Sequence, residues 1–166
     1  MYFGHIGDTR IYYLPAREGG IRQLSHDDTH VGWLLRNGKI NEREARSHPR
    51  RNVLQKALGG GNQFVDPQVG AVAYERGDLF LICSDGLTSM ISDDEVTSIL
   101  RSANSLDEAA EELVLAANQS GGKDNITVIL FRLGEGEGGA EATQVRPVPS
   151  EEDTIALTRV SVRRRR

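Results

Sequence analysis

Short apolar blocks separated by turn residues open the chain. Tyr2, Phe3 and Ile6, then Ile11, Tyr12, Tyr13 and Leu14, read as two antiparallel strand candidates, 2–6 and 10–14. A turn at Glu18-Gly19-Gly20 leads to a short strand over Ile21 to Leu24, and the polar stretch Ser25 to Thr29 closes this part. Residues 30–37 carry a helical pattern that stops at Gly38. Asn41 with Glu44 has capping-box spacing for a second helix ended by Pro49, and a third short helix is expected from Arg51 to Leu58, stopping at Gly59. An extended stretch, Gln68 to Tyr74, and a turn at Arg76-Gly77-Asp78 precede the continuous apolar run LFLIC, which predicts a buried strand. Two further capping-box spacings, Ser92 with Glu95 and Ser105 with Glu108, each open an amphipathic helix, the second running to about Asn118. Gly121 to Asn125 then turns the chain into a last strand, ITVILF. Hairpin-like strands mixed with paired helices, without regular strand–helix alternation, predict an α+β fold on antiparallel sheet rather than a doubly wound one.

Composition narrows the function classes. The chain has 166 residues, 38% of them hydrophobic, enough for one ordinary core without disulfides. Twenty basic against twenty-four acidic side chains give a net charge of −4, which argues against a nucleic-acid partner. The single cysteine excludes an internal bridge, and the longest apolar runs are too short to span a bilayer. No basic region followed by a long apolar one marks a secretory signal at the start, so a cytoplasmic location is expected. From Gly134 onward the chain is rich in Gly, Glu and Pro and ends in Arg163 to Arg166. Residues 1–133 are therefore read as the folded domain and 134–166 as a disordered tail with a basic end.

The candidate chemistry rests on aspartates. Asp8 follows YFGHIG, Asp85 ends LFLICS, and Asp124 precedes ITVILF, each beside Gly or Asn at a strand end. Carboxylates converging at strand ends suit hard cations such as Mg²⁺ or Mn²⁺, although any one Asp-Gly pair is also ordinary turn chemistry. His26, Asp28 and His30 alternate in a polar turn, which reads as capping rather than as a zinc site.

Four segments in order, HIGDTRIYYL, RRNVLQKALGG, GDLFLICSDGLTSMISDDEV and GGKDNITVILFRL, resemble the metal-dependent Ser/Thr protein phosphatases of type 2C (the PPM family), bacterial branch. The resemblance covers residues 3–133 and the C-terminal part of the family's catalytic domain. It implies a two-sheet antiparallel β-sandwich flanked by helices, with Mn²⁺ or Mg²⁺ at one end. Asp85 and Asp124 match family metal ligands, and Asp8 matches the aspartate tied to a third metal. The implied function is hydrolysis of phosphomonoesters on phosphorylated Ser/Thr proteins, targets of a Ser/Thr kinase or the kinase itself, by a metal-activated water. Residues 30–58 correspond to the family's flap, where Arg43, Arg46, Arg50 and Arg51 form a basic patch for substrate. Cys83, inside an apolar run, disfavours a cysteine-based phosphatase.

The family's first half supplies a further bridging Asp followed by Gly, and no D-G-x-G-G motif occurs in this chain. The resemblance therefore implies that the N-terminal half of the catalytic domain is lacking. The alternatives to an active phosphatase are a non-catalytic phosphatase-like binding module and a truncated gene product. Members of the family are often followed by a membrane span, which makes attachment through a segment beyond Arg166 the alternative to a solvated basic end.

Overall fold

The computed structural model describes residues 1–17, 19–59 and 66–134. The predicted tail lies outside them, apart from Gly134. The strands are β1 (Tyr2–His5), β2 (Arg10–Leu14), β3 (Arg22–Gln23), β4 (Gln68–Ala71), β5 (Leu79–Cys83) and β6 (Val128–Arg132). The helices are α1 (His30–Arg36), α2 (Glu42–Ser47), α3 (Asp85–Thr88), α4 (Asp93–Ser102) and α5 (Leu106–Gln119). All pairing is antiparallel: β1 pairs with β4, and a four-stranded sheet runs in the order β3-β2-β5-β6. The α+β class with two antiparallel sheets is the one expected.

Alternation along the strands builds the core. Tyr12, Leu81 and Leu130 stand in one register row, with Leu14 and Leu79 beside them on the same face. That face is buried under Leu87, Ile91, Val96, Leu100, Ala110, Leu113 and Ala117 from α3, α4, α5 and the α3–α4 turn. The opposite face carries two rows, Ile11–Ile82–Ile129 and Tyr13–Phe80–Phe131. Phe80 is fully buried, stacked on Phe131 at 5.2 Å and tilted against Tyr13 at 5.3 Å, whereas Ile129 on edge strand β6 is 42% exposed.

The predicted caps form. Asn41 and Glu44 exchange bonds of 2.9 and 2.8 Å, and Ser92 and Glu95 make the same reciprocal pair. Ser105 caps Glu108 N–H, but the Glu108 carboxylate reaches back to Asn104, whose backbone and side-chain amides both offer it protons.

Three expectations are corrected. The first two strands are not partners of each other. Gly7, at φ +105°, turns the chain between them, and β1 goes to β4 while β2 lies between β3 and β5. Arg51 to Leu58 is no helix, because its backbone groups are taken from across the chain: Thr29 bridges Leu54, His30 N–H donates to Val53 at 2.9 Å, and Gln55 N–H donates to Asp28 at 2.7 Å. Gly59 accordingly ends a turn. The extended stretch from Gln68 is a strand only to Ala71.

Candidate metal centre

Strand register decides where the aspartates meet. Arg10, Cys83 and Val128 form one row across β2, β5 and β6. Asp8 lies two residues before Arg10, Asp85 two after Cys83 and Asp124 four before Val128. In antiparallel strands all three therefore emerge at the same end of the sheet. Burial pushes the Asp85 carboxyl above its usual range, and the nearby charges of Asp8 and then Asp124 push it further. Like charges are thus held close to one another. Among the described residues the ion pairs are Arg10–Asp27 and Arg17–Glu75, and neither involves these three aspartates.

The loop that carries Asp124 is clasped to the start of α3. Ser84 Oγ donates to the Asn125 carbonyl at 2.9 Å and accepts from Thr127 N–H at 3.0 Å, so this N-cap residue makes no side-chain bond to its own helix. Gly86 lies directly beneath the Asn125 carbonyl, where a Cβ would collide with it. Asp124 Oδ1 accepts from Asn125 N–H at 2.7 Å, fixing the carboxylate at the loop tip.

Asp8 and Asp85 line one cleft of about 200 Å³ together with Arg10, Asp27, Thr29, Gly32, Arg51, Thr88 and Ser89. One wall is acidic and the other comes from α1, α2 and the turn at Arg51-Asn52. Of the predicted arginines whose side chains are described, Arg51 lines this cleft. Arg43 and Arg50 are exposed beyond it, and the Arg46 side chain lies outside the described residues. Asp124 stays outside the lining but within electrostatic reach of Asp85.

Sequence reading missed Arg10 and Asp27. Arg10 Nε and Nη2 donate to Asp27 at 2.9 and 2.7 Å, and Nη1 donates to Tyr12 Oη at 3.1 Å, so this guanidinium is spent on structure. The signal was Arg10 itself, the last residue of GDTR, whose partner lies seventeen residues away. Cys83 is 1% exposed, and burial pushes its thiol up to about 12, far from a nucleophile's range.

A scan of protein-family models finds no match. Relatives do match. The chain is 44% identical over 128 residues to a putative protein phosphatase 2C-type of Streptococcus pyogenes, covering 77% of this chain and 51% of that one. The solved serine/threonine phosphatase of S. agalactiae superposes with a TM-score of 0.72 at 36% identity, over 79% of this chain and 53% of the other. The chain belongs to the type 2C (PPM) phosphatase family. A further type 2C structure, the PstP catalytic domain in complex with two manganese ions, matches at 34% identity and a TM-score of 0.66, over 78% of this chain and 51% of that one. The chain spans about half the length of the type 2C relatives it matches.

The donor set fits divalent cations in kind and charge: hard carboxylate oxygens, repelling one another, at the mouth of a cleft. It does not fit in number, since no three His, Cys, Asp or Glu side chains among the described residues form a ready-made metal cluster. No helix among the described residues is long and apolar enough to cross a membrane.

Proposed function

We propose that this chain supplies one side of the metal centre of a protein Ser/Thr phosphatase, with Asp85 and Asp124 as ligands of the catalytic ions and Asp8 as ligand of a further one. The observation that carries the reading is the meeting of Asp8 and Asp85 in one cleft, with Asp124 close enough to raise Asp85 and no ion pair to any of the three among the described residues. Mn²⁺ or Mg²⁺ bound there would supply an activated water and charge neutralisation for a phosphomonoester. The remaining oxygens of the six or more such ions take come from water and from the part of the domain that the longer relatives carry.

The residues present divide the other tasks. Arg51, at the cleft, faces the phosphoryl group of a phosphorylated Ser or Thr protein, while Arg43 and Arg50 meet the surrounding chain. Arg10 is held by Asp27 and does not bind phosphate. Cys83 is too deeply buried and too weakly acidic to attack.

Isothermal titration of the chain with MnCl₂ tests the assignment. Saturable binding is expected, weakened at least tenfold in Asp85→Asn and in Asp124→Asn, and binding unchanged in both would sink it. Hydrolysis of a phosphothreonine peptide by the chain alone is expected at trace rates for want of ligands. Turnover in the ordinary enzyme range of about 1–10³ s⁻¹ would show a complete centre. The absence of a three-ligand cluster among the described residues favours, as the second reading, a non-catalytic module that binds phosphoproteins. Phosphopeptide binding that is indifferent to Mn²⁺ would select it.

A further inference from the structure

The segment Leu24–Thr29 contributes no proposed ligand, yet its residues are tied to almost every part of the site. Ser25 Oγ, 1% exposed, accepts from Ile11 N–H at 2.9 Å, and His26 N–H donates to the Gln68 side chain at 2.8 Å. Asp27 holds Arg10, and its carbonyl accepts from Arg36 of α1 at 2.9 Å. Thr29 caps α1 through Gly32 N–H at 2.9 Å. The strap therefore joins the arginine-bearing wall of the cleft to the strands that carry the acidic wall.

Asp28 occupies the joint. Its backbone N–H donates to the Gly7 carbonyl at 2.7 Å, its Oδ2 accepts from Gly7 N–H at 3.2 Å, and its carbonyl accepts from Gln55 N–H at 2.7 Å. Gly7 is the left-handed residue on which the chain turns into Asp8. Both backbone hydrogen-bonding groups of Gly7 are thus held by a single residue. Asp28 does not line the cleft, whereas Asp8 does, and the Asp8 carboxylate has no hydrogen-bond or ion-pair partner of its own among the described residues. Nothing local fixes Asp8 except the turn beneath it.

We propose that Asp28 is a positioning residue: by clamping Gly7 it sets where Asp8 stands across the cleft from Asp85. The proposal rests on the reading of Asp8 as a cation ligand. Removal of the side-chain acceptor frees Gly7 N–H and lets the turn sample other conformations, so that cation binding must first order Asp8. Charge at position 28 is not what matters. Asn keeps an acceptor at the same distance, whereas Glu keeps the charge and moves it by one methylene.

Amide NMR of the full chain separates these cases. Without metal, hydrogen exchange at Gly7 is expected to be at least tenfold faster in Asp28→Ala and Asp28→Glu than in the wild-type chain, and within about twofold in Asp28→Asn. During a MgCl₂ titration, the shift of the Asp8 and Thr9 amides is expected to need at least fivefold more Mg²⁺ in the Ala and Glu variants, while the response of Asn125 beside Asp124 and that of Asp28→Asn stay as in the wild type. Should Asp28→Ala not fold, the contrast between Asn and Glu carries the same test. A Glu variant that behaves as wild type, or an Asn variant as impaired as Ala, overturns the positioning role. A wild-type chain in which Mg²⁺ shifts neither region overturns the metal-centre reading itself, and the proposal with it.

Discussion

A carboxylate's behaviour in this protein is set by what surrounds it, and Asp78 and Asp85 show opposite outcomes. Asp78 is 2% exposed, and burial alone would hinder its ionisation. The Glu75 and Ala16 amides at 2.6 and 2.8 Å and the Tyr13 hydroxyl at 2.7 Å outweigh that cost and hold its carboxyl below the usual aspartate range. Since the folded-state value lies below the unfolded one, this contribution is present above an unfolded pKa of about 4 and is lost as pH falls through the folded value. Thermal melts at pH 7 and pH 3 should therefore show a smaller acid-induced loss in Asp78→Asn than in the wild type. Asp78→Ala should lower stability at pH 7 by about 3 kcal/mol, as three donors lose their acceptor. Equal acid sensitivity of the wild type and the Asn variant would contradict this account. At Asp85, burial and the charges of Asp8 and Asp124 outweigh the backbone amides of Gly86 and Asp85 itself, and its carboxyl is raised.

At the scale of elements, two short pieces of chain are brought closer than side chains ordinarily permit. The start of α3 passes under the loop before β6, and Gly86 is the residue that allows it, because a Cβ there would meet the Asn125 carbonyl. Gly86→Ala should therefore push the Asp124 loop away from Asp85. The expected cost is on the order of 1–3 kcal/mol of stability, with a weaker response to Mg²⁺ at Asn125. An unchanged melting temperature together with an unchanged Mg²⁺ titration would show that the loop relaxes freely and that the contact does not place the ligand. The Ser84 clasp acts in the same direction, and its diversion from capping is why α3 begins without a side-chain cap.

Charge is distributed unevenly over the whole molecule. The chain carries −4, yet residues 30–52 hold six basic against two acidic side chains, and none of Arg43, Arg50 and Arg51 enters the ion pairs among the described residues. A phosphothreonine peptide should accordingly bind this face despite the net negative charge, and binding should weaken as NaCl rises from 50 to 500 mM. Arg51, in the cleft, should matter more than Arg43 outside it: roughly tenfold loss of affinity for Arg51→Glu against about threefold for Arg43→Glu, by fluorescence anisotropy. Affinity indifferent to salt, or equal effects of the two substitutions, would remove the basic wall from substrate recognition.

Features governed by neighbours along the chain were legible without coordinates. The buried run LFLIC, the capping residues Asn41 and Ser92, the turn at Gly77 and the three aspartates at strand ends all depend on local periodicity and backbone chemistry, which the order of residues expresses directly. The partner of β1 was not legible, because an apolar strand pairs with whichever edge the chain brings to it, here β4 more than sixty residues on. The same cause explains residues 51–58, whose composition allows a helix but whose hydrogen bonds are claimed by Asp28 to His30. Tertiary structure alone decided which arginine reaches the cleft, that Arg10 is spent on Asp27, and that Asp28 stands behind Asp8. Each is a relation between segments distant in sequence, and long-range contact follows from packing of the whole core rather than from the pattern of any one segment.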